Sequence, residues 1–233
     1  MIDALPETLR KTAAFDGRAY ALALASKRLL DRIGVWARVA GHSQPMLEIK
    51  ASDGRAGEGP APFFLHFDAA EIEEGPMGFM VEDRFLRRAF LDAMAEEPLI
   101  TQVEDRVEAQ AVDASGVTLT LASGKALRGR LLVGCDGRQS GTAARAGIRR
   151  TGWDYGQTAL VCAIAHERPH HGTRISSSWP TGRWRSLPLP GNVSSIVWSE
   201  TPRQRGRDPC AGRTPITWRC CARASAISRA RSR

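Results

Sequence analysis

The stretch Leu131-Leu-Val-Gly-Cys-Asp-Gly-Arg-Gln-Ser140 decides how this chain is expected to fold. Residues 130–135 form a short apolar run, which is typical of a strand buried on both faces of a parallel sheet. Asp136 and Gly137 follow that run, and Ser140 is placed to cap a helix behind them. The pattern therefore predicts a strand–turn–helix unit of an α/β protein, with an acid and a glycine at the carboxyl end of the strand.

The carboxyl end of such a strand is where α/β sheets bind ligands. Gly137 lets the backbone turn tightly and approach a ligand, and the carboxylate of Asp136 can accept hydrogen bonds from ribose hydroxyls. The start of the helix behind them favours a phosphate. An ordinary corner with a helix-capping acid explains the same residues, so the motif alone leaves a dinucleotide site and a structural turn open.

Short helices and strands alternate around this unit. Ser26 can cap a helix that ends at Gly34, and a second helix over residues 84–94 is expected to be amphipathic. Its apolar face consists of Phe85, Leu86, Ala89, Phe90 and Met94. Alternating hydrophobicity predicts strands over residues 46–52, 62–68, 78–81, 106–112, 117–122, 158–165 and 193–198. A Pro/Gly-rich connection is expected at residues 187–192.

The formal net charge of +8 lies in the last 33 residues. Residues 201–233 carry nine arginines and one acid, whereas residues 1–200 are balanced at 24 basic and 24 acidic groups. Without a basic face on the folded part, no nucleic-acid partner is expected, although a binder acting through the tail is a rival interpretation. Because the tail lacks any hydrophobic period, it is expected to be disordered or translated from a shifted frame. A shifted frame is also considered for residues 174–186.

Other patterns exclude several classes. Five cysteines without CxxC spacing do not form a disulfide framework, and no long apolar run or signal-peptide layout occurs, so a cytoplasmic location is expected. His166-Glu-Arg-Pro-His170 fits a zinc motif that requires a helix. Pro169 would break that helix, so no metal site is predicted. No nucleophile arrangement stands out, which indicates that a cofactor supplies the chemistry.

Five colinear segments resemble flavin hydroxylases that act on polyprenylated phenols in ubiquinone biosynthesis. They are FDGRAYALALASKRLLDRIGVW (15–36), GPMGFMVEDRFLRRAFL (75–91), LLVGCDGRQSGTAARAGI (131–148), GWDYGQTALVCAIAHERPHHG (152–172) and LPLPGNVSSIVWSE (187–200). The resemblance implies an FAD- and NAD(P)H-dependent aromatic monooxygenase that hydroxylates the ring of a small phenol. A polyprenyl chain on that phenol would imply peripheral contact with a membrane.

The same resemblance implies a fold and a domain division. The fold is a partial glutathione-reductase-like FAD-binding Rossmann domain, without its first βαβ unit, joined to an α+β substrate domain. Residues 1–45 and 82–150 would belong to the FAD domain. Residues 46–81 and 151–202 would supply the sheet of the substrate domain, and residues 203–233 would form the Arg-rich tail.

Four residues match cofactor-binding motifs of the family. Arg18 of FDGRA would meet the FAD pyrophosphate, and Arg84 of EDRFLRR would lie near the ribityl and phosphate region. Asp136 and Gly137 would form the DG motif, which touches both FAD and nicotinamide. No catalytic side chain is implied.

Two segments of the family pattern have no counterpart in the sequence. One is the GxGxxG turn that seats the FAD diphosphate, and the other is the GD segment that binds the ribityl chain. We therefore expect an N- and C-terminally truncated relative that binds FAD weakly and is inactive as this fragment. The alternative is a non-catalytic remnant or interaction fragment of such an enzyme.

Overall fold

The computed structural model describes residues 1–11, 14–54, 61–180 and 182–201. The helices are α1 (Glu7–Arg10), α2 (Leu24–Arg32), α3 (Trp36–Val39), α4 (Asp83–Glu96) and α5 (Gly141–Arg145). The first seven strands are β1 (Ile2–Asp3), β2 (Ala19–Ala23), β3 (Ser43–Met46), β4 (Glu48–Asp53), β5 (Phe64–Asp68), β6 (Gly78–Glu82) and β7 (Val103–Glu104). The others are β8 (Val107–Asp113), β9 (Gly116–Leu121), β10 (Ala126–Gly129), β11 (Thr158–Ala165), β12 (Thr173–Trp179), β13 (Gly182–Leu189) and β14 (Val193–Glu200). The predicted α/β class is confirmed.

The chain forms two compact units. The first comprises Met1–Thr12 with Met94–Trp153, and the second comprises Ala13–Ala93 with Asp154–Arg233. These units follow the packing of the chain, so the division into an FAD domain and a substrate domain stays a prediction. Among the residues described, no helix is long and apolar enough to cross a membrane.

The first unit is built on the predicted hairpin. β8 and β9 pair antiparallel around the turn at residues 113–116, and β10 adds a third strand. On β9 the side chains of Val117, Leu119 and Leu121 are buried, at 4%, 6% and 1% exposure. Because neighbouring side chains on a strand point to opposite faces, this alternation gives the small sheet one apolar face. β1 and β7 form a separate parallel pair.

The second unit contains two sheets. The larger has the order β11-β14-β13-β12-β4-β5, in which only β12 and β4 are parallel among the pairs described. The smaller has the order β2-β6-β3 and is antiparallel throughout. A shared cluster of Met46, Met80 and Leu189 joins them, since β13 packs against β3 and β6.

The amphipathic helix predicted over residues 84–94 is confirmed as α4. Its Phe85, Leu86, Ala89 and Phe90 pack against a core that includes Trp36, Val39 and Val81. Ala93 occupies the end of this face, where the prediction had Met94. Burial of this stripe, rather than local propensity, is what stabilises a helix of this length.

The start of α2 differs from the prediction. The helix begins at Leu24, with Ala23 as the N-cap and no capping side chain, so Ser26 lies inside the first turn. The helix begins earlier because β2 ends at Ala23 and the chain turns directly onto the core. Its predicted end is confirmed, since Gly34 adopts φ +73°, a left-handed conformation that favours glycine.

The buried strand predicted over residues 130–135 is wrong. These residues have no assigned secondary structure, and Leu131 and Val133 are 79% and 70% exposed. An isolated strand cannot satisfy its backbone hydrogen bonds, and no strand among the described residues pairs with this segment. The helix behind it is confirmed as α5, which Ser140 caps by accepting a hydrogen bond from the amide of Ala143.

Within the segment 174–186, residues 174–179 lie in β12 and residues 182–186 lie in β13. β12 and β13 make an antiparallel hairpin inside the larger sheet, in which Trp184 is 2% exposed and lies opposite Trp198. β13 also continues to Leu189, so the connection expected at 187–192 is shorter than predicted. The tail predicted to be disordered or frameshifted lies outside the described residues.

The packing of Leu189 leads to a stability prediction. Leu189 is fully buried in β13, whereas Leu65 in edge strand β5 is 64% exposed. Leu189→Ala should lower the free energy of unfolding by about 2–5 kcal/mol, because it leaves a cavity between the two sheets. Leu65→Ala is the control and should change it by about 0.5 kcal/mol or less. Urea denaturation measures both, and equal effects would contradict the buried role of Leu189.

Candidate cofactor site

Arg18 and Arg84 lie at the same end of the smaller sheet. Register pairs Ala19 of β2 with Glu82 of β6, and the backbone amide of Asp83 donates to the carbonyl of Arg18 over 3.0 Å. Arg18 therefore directly precedes β2 at the point where β6 passes into α4. Two residues that the sequence predicts to bind one cofactor, 66 positions apart, are thus neighbours in the fold.

Asp83 is a buried carboxylate at the centre of this end. It is 7% exposed and accepts a hydrogen bond of 2.8 Å from the hydroxyl of Tyr20. Its Oδ2 lies 3.2 Å from Nη2 of Arg18 and 3.3 Å from Nη2 of Arg87. Oδ2 has no well-directed hydrogen bond, so the two arginines hold it mainly through charge.

The network shifts the acidity of its members. The pKa of Tyr20 is raised, first because its hydroxyl donates to the Asp83 carboxylate and then because burial disfavours the phenolate. Arg18 also binds Asp16, through a hydrogen bond of 2.7 Å from Nε to Oδ2. The same hydrogen bond is the main cause that lowers the pKa of Asp16. Asp16 is thus a second anion that Arg18 holds in this structure, beside Asp83.

Arg84 is fixed in another way. Its Nε donates to Oε2 of Glu82 over 2.6 Å. Its guanidinium lies over the ring of Phe85, 4.6 Å from the centroid, and 5.4 Å from that of Phe15. Stacking and pairing of this kind orient the guanidinium. They do not bury it, since the side chain of Arg84 is 31% exposed.

Asp136 and Gly137 lie in the first unit, where they form the corner before α5. Asp136 accepts hydrogen bonds from the hydroxyl of Ser140 and, over 2.9 and 3.0 Å, from the amide and hydroxyl of Thr142. These bonds, that of Ser140 first, lower the pKa of Asp136 far below its usual range. Gly137 has φ +80°, and a Cβ there would meet nothing within 4 Å.

The start of α5 is therefore already supplied with an anion. Asp136 takes the amide of Thr142 and Ser140 takes that of Ala143, which are two of the donors that a phosphate would use. A carboxylate has about four acceptor positions, so Asp136 keeps capacity for one further donor such as a ribose hydroxyl. The corner fits a sugar better than a phosphate.

A groove of about 590 Å³ lies beside this corner in the first unit. The turn of the β8–β9 hairpin forms one wall, and residues 130–134 and α5 form the other. Gln110 crosses its floor, donating to the carbonyl of Thr142 over 3.3 Å and accepting from Arg145 over 3.2 Å. The exposed apolar side chains of Val112 and Ile148 give the groove a mixed character.

The described residues fit parts of FAD. Arg18 is 56% exposed at the side chain and carries a planar fork of donors, which matches the geometry of a phosphate. Arg84 adds a second fixed cation at the same end of the sheet. A phosphate would have to displace Asp16 from Arg18. The two arginines on this unit therefore suit a phosphate, but Asp16 competes with the phosphate for Arg18.

Comparison with known proteins places the chain in a family. The sequence model described as FAD binding domain matches residues 1–181, which is most of the chain. The chain therefore belongs to the FAD binding domain family, and FAD is the cofactor of that family. This confirms the resemblance to FAD-dependent hydroxylases.

Relatives from the ubiquinone pathway match at the level of sequence. The chain is 45% identical over 196 residues to "Ubiquinone hydroxylase UbiL" of Rhodospirillum rubrum, a match that covers 84% of this chain and 44% of the relative. It is 29% identical over 189 residues to the 3-demethoxyubiquinol 3-hydroxylase of Escherichia coli, covering 80% and 47%. The chain thus spans about half the length of the curated relatives it matches.

Solved structures share the fold. PqsL of Pseudomonas aeruginosa in complex with 2-aminobenzoylacetate matches with a TM-score of 0.75 and 22% identity, covering 97% of this chain and 62% of that chain. HpxO of Klebsiella pneumoniae with FAD and uric acid matches with a TM-score of 0.67 and 18% identity, covering 88% and 55%. The predicted fold, an FAD-binding domain of the α/β class, is confirmed.

Asp83, Tyr20 and Arg87 are members of this group that the sequence motifs do not predict. Asp83 lies inside the motif EDRFLRR, next to the predicted ligand Arg84. Its position as the first residue of a helix suggests only a helix-starting acid. That it is buried, and that Tyr20 on β2 reaches it, depends on the pairing of β2 with β6, which the sequence does not specify.

The hydrogen bond from Tyr20 to Asp83 leads to a prediction on acidity. The chain has two tyrosines, so Tyr155→Phe leaves Tyr20 as the only phenol to titrate. Asp83→Asn in that background should lower the Tyr20 pKa, because the charge that stabilises the neutral phenol is removed. Ultraviolet absorbance of the phenolate at high pH measures it. An unchanged or higher pKa would contradict the contact.

The same contact makes the stability of the fold depend on pH in a defined direction. Because the folded pKa of Tyr20 is raised, its contribution is fully present at neutral pH and is lost as pH rises through the folded pKa, above about 10. The Asp83→Asn variant should therefore lose less stability than its parent over that alkaline range.

Proposed function

We propose that the protein is a relative of the FAD- and NAD(P)H-dependent monooxygenases that hydroxylate the ring of a polyprenylated phenol in ubiquinone biosynthesis, and that it is inactive as this fragment. The observation that carries the proposal is the 45% identity to a ubiquinone hydroxylase over 84% of the chain. The 3-demethoxyubiquinol 3-hydroxylase of Escherichia coli supports the same class of substrate, a small aromatic molecule of the quinone pathway. Peripheral contact with a membrane would follow from the polyprenyl chain of such a substrate.

In this proposal Arg18 binds the FAD pyrophosphate. Its guanidinium is oriented from below by buried Asp83, and the partly exposed fork faces the ligand. Arg84 lies near the ribityl and phosphate region, held over Phe85. Asp136 accepts a ribose hydroxyl at its remaining acceptor position, and Gly137 lets the backbone come close. When bound, FAD supplies the redox chemistry that activates oxygen.

Binding of FAD to this chain is proposed to be weak. Arg18 already pairs with Asp16. A pyrophosphate that replaces Asp16 therefore gains only the difference between the binding free energies of the two anions. The start of α5 likewise holds Asp136. The competing proposal is a non-catalytic remnant or interaction fragment, in which both contacts serve only the fold.

A direct assay separates these two proposals. The truncated hydroxylase is expected to quench FAD fluorescence weakly on titration and to leave the rate of NAD(P)H oxidation unchanged when a prenylated phenol is added. A stimulated rate would contradict its inactivity. Hydroxylated product by mass spectrometry identifies the reaction, and flavin-free protein is the blank. Absence of quenching together with an unstimulated rate would favour the non-catalytic remnant.

Arg18 gives the sharpest variant. Arg18→Met should weaken FAD binding by about tenfold or more, because a charged hydrogen bond to phosphate is worth roughly 1.5–3 kcal/mol. Arg28→Met is a matched control, because Arg28 has a similarly exposed side chain, 60% against 56%, and likewise pairs with an acid, Glu74. Fluorescence titration measures both dissociation constants. An equal loss in the two variants would remove Arg18 from the site.

A further inference from the structure

Glu48, His66 and Asp68 converge on one face of the larger sheet in the second unit. One ligand atom from each of these side chains lies within 4.8 Å of the others. We propose that these three residues bind a divalent first-row transition-metal ion. The site is independent of the proposed flavin chemistry and lies on β4 and β5, away from the end of the smaller sheet that carries Arg18.

Strand geometry places the three ligands. His66 and Asp68 are two residues apart on β5, so their side chains leave the same face of the sheet. Glu48 on β4 is the register partner of Asp68 in the antiparallel pair. Directly opposed residues have Cβ atoms about 5 Å apart, which lets three side chains of this length meet at one point above the sheet.

The electrostatics of this face favour a cation. Glu48 and Asp68 are like charges placed directly opposite each other, an arrangement that destabilises a sheet unless a positive group lies between them. In this structure the ammonium of Lys50 lies 2.7 Å from Oε2 of Glu48. Lys50 thus partly takes the place of the ion, and a metal would displace it.

Neighbouring groups orient two of the ligands. The hydroxyl of Thr173 donates to Oε2 of Glu48 over 3.1 Å, and the amide of Ala70 donates to Oδ1 of Asp68 over 2.8 Å. Such outer contacts fix the direction of a ligating carboxylate.

Small side-chain rotations complete the site. Nε2 of His66 lies 4.0 Å from Oε2 of Glu48. Ligands about 2.1 Å from a tetrahedral ion are roughly 3.4 Å apart, so this gap must close by about 0.6 Å. The three ligand atoms all lie within 4.8 Å of one another, so no other gap must close by more than about 1.4 Å. The side chains of Glu48 and His66 are 30% and 41% exposed, which leaves them room to move.

The donor set selects the class of metal. One imidazole and two carboxylates suit manganese, iron or zinc in the divalent state rather than copper(I), which prefers sulfur. Manganese is the better probe, because the five cysteines of the chain compete poorly for it.

The test is a titration of the full chain with Mn²⁺, in which the electron paramagnetic resonance signal of free Mn²⁺ measures binding. Saturable binding of one ion is expected. His66→Ala and Asp68→Asn should each weaken it at least about tenfold, since even outer partners of metal ligands are worth roughly 10- to 100-fold. Lys50→Met should strengthen it, roughly two- to fivefold, because a competing charge is removed.

Glu73→Gln is the matched control, because Glu73 is an exposed carboxylate five residues beyond Asp68 that is not part of the group. Its dissociation constant should equal that of the parent. Far-ultraviolet circular dichroism establishes that each variant is folded. Absence of saturable binding, an equal effect of Glu73→Gln and His66→Ala, or weaker binding in Lys50→Met would overturn the proposal.

Discussion

The buried carboxylate of Asp83 is the constraint on which the second unit's candidate site depends. A charge at 7% exposure is stable only when opposite charges and hydrogen bonds surround it, and here Arg18, Arg87 and Tyr20 do so. Meeting that demand fixes the start of β2 against the start of α4. The orientation of the exposed guanidinium of Arg18 is a by-product of the same requirement, so fold and candidate site share one electrostatic cause.

Sequence patterns predicted those elements whose burial is decided locally. The stripe of α4 and the alternation of β9 each identify one apolar face, and the structure has both. The run 130–135 has the composition of a buried strand, yet composition cannot say whether a neighbouring strand exists to accept its hydrogen bonds. Residues 174–186 show the opposite error, because no strand was predicted there. The sequence there is polar, yet β12 and β13 each pair with a neighbouring strand on both sides.

Motif matching predicts Arg18 and Arg84 as cofactor ligands, and the register of β2 with β6 brings the two residues to the same end of the smaller sheet. It could not identify Asp83 as the buried partner of Arg18, because the burial of an acid beside a neighbouring strand is a property of tertiary structure. The group of Glu48, His66 and Asp68 shows the same limit. His66 and Asp68 are two residues apart on one strand, so the sequence places them on the same face. Glu48 joins them only because β4 pairs with β5 in the observed register.

The parallel pairing of β12 with β4 has a consequence for how the molecule acquires its structure. Thr173 and Glu48 are 125 residues apart in sequence, and nearly the whole of the first unit is encoded between them. Long-range contacts of this kind must overcome a large loop-closure entropy before they are formed, so folding is slowed. On the ribosome, the larger sheet cannot close until its distant strand has emerged. Until then β4 lacks one of its two neighbouring strands, and its unpaired edge is open to chaperones and to self-association.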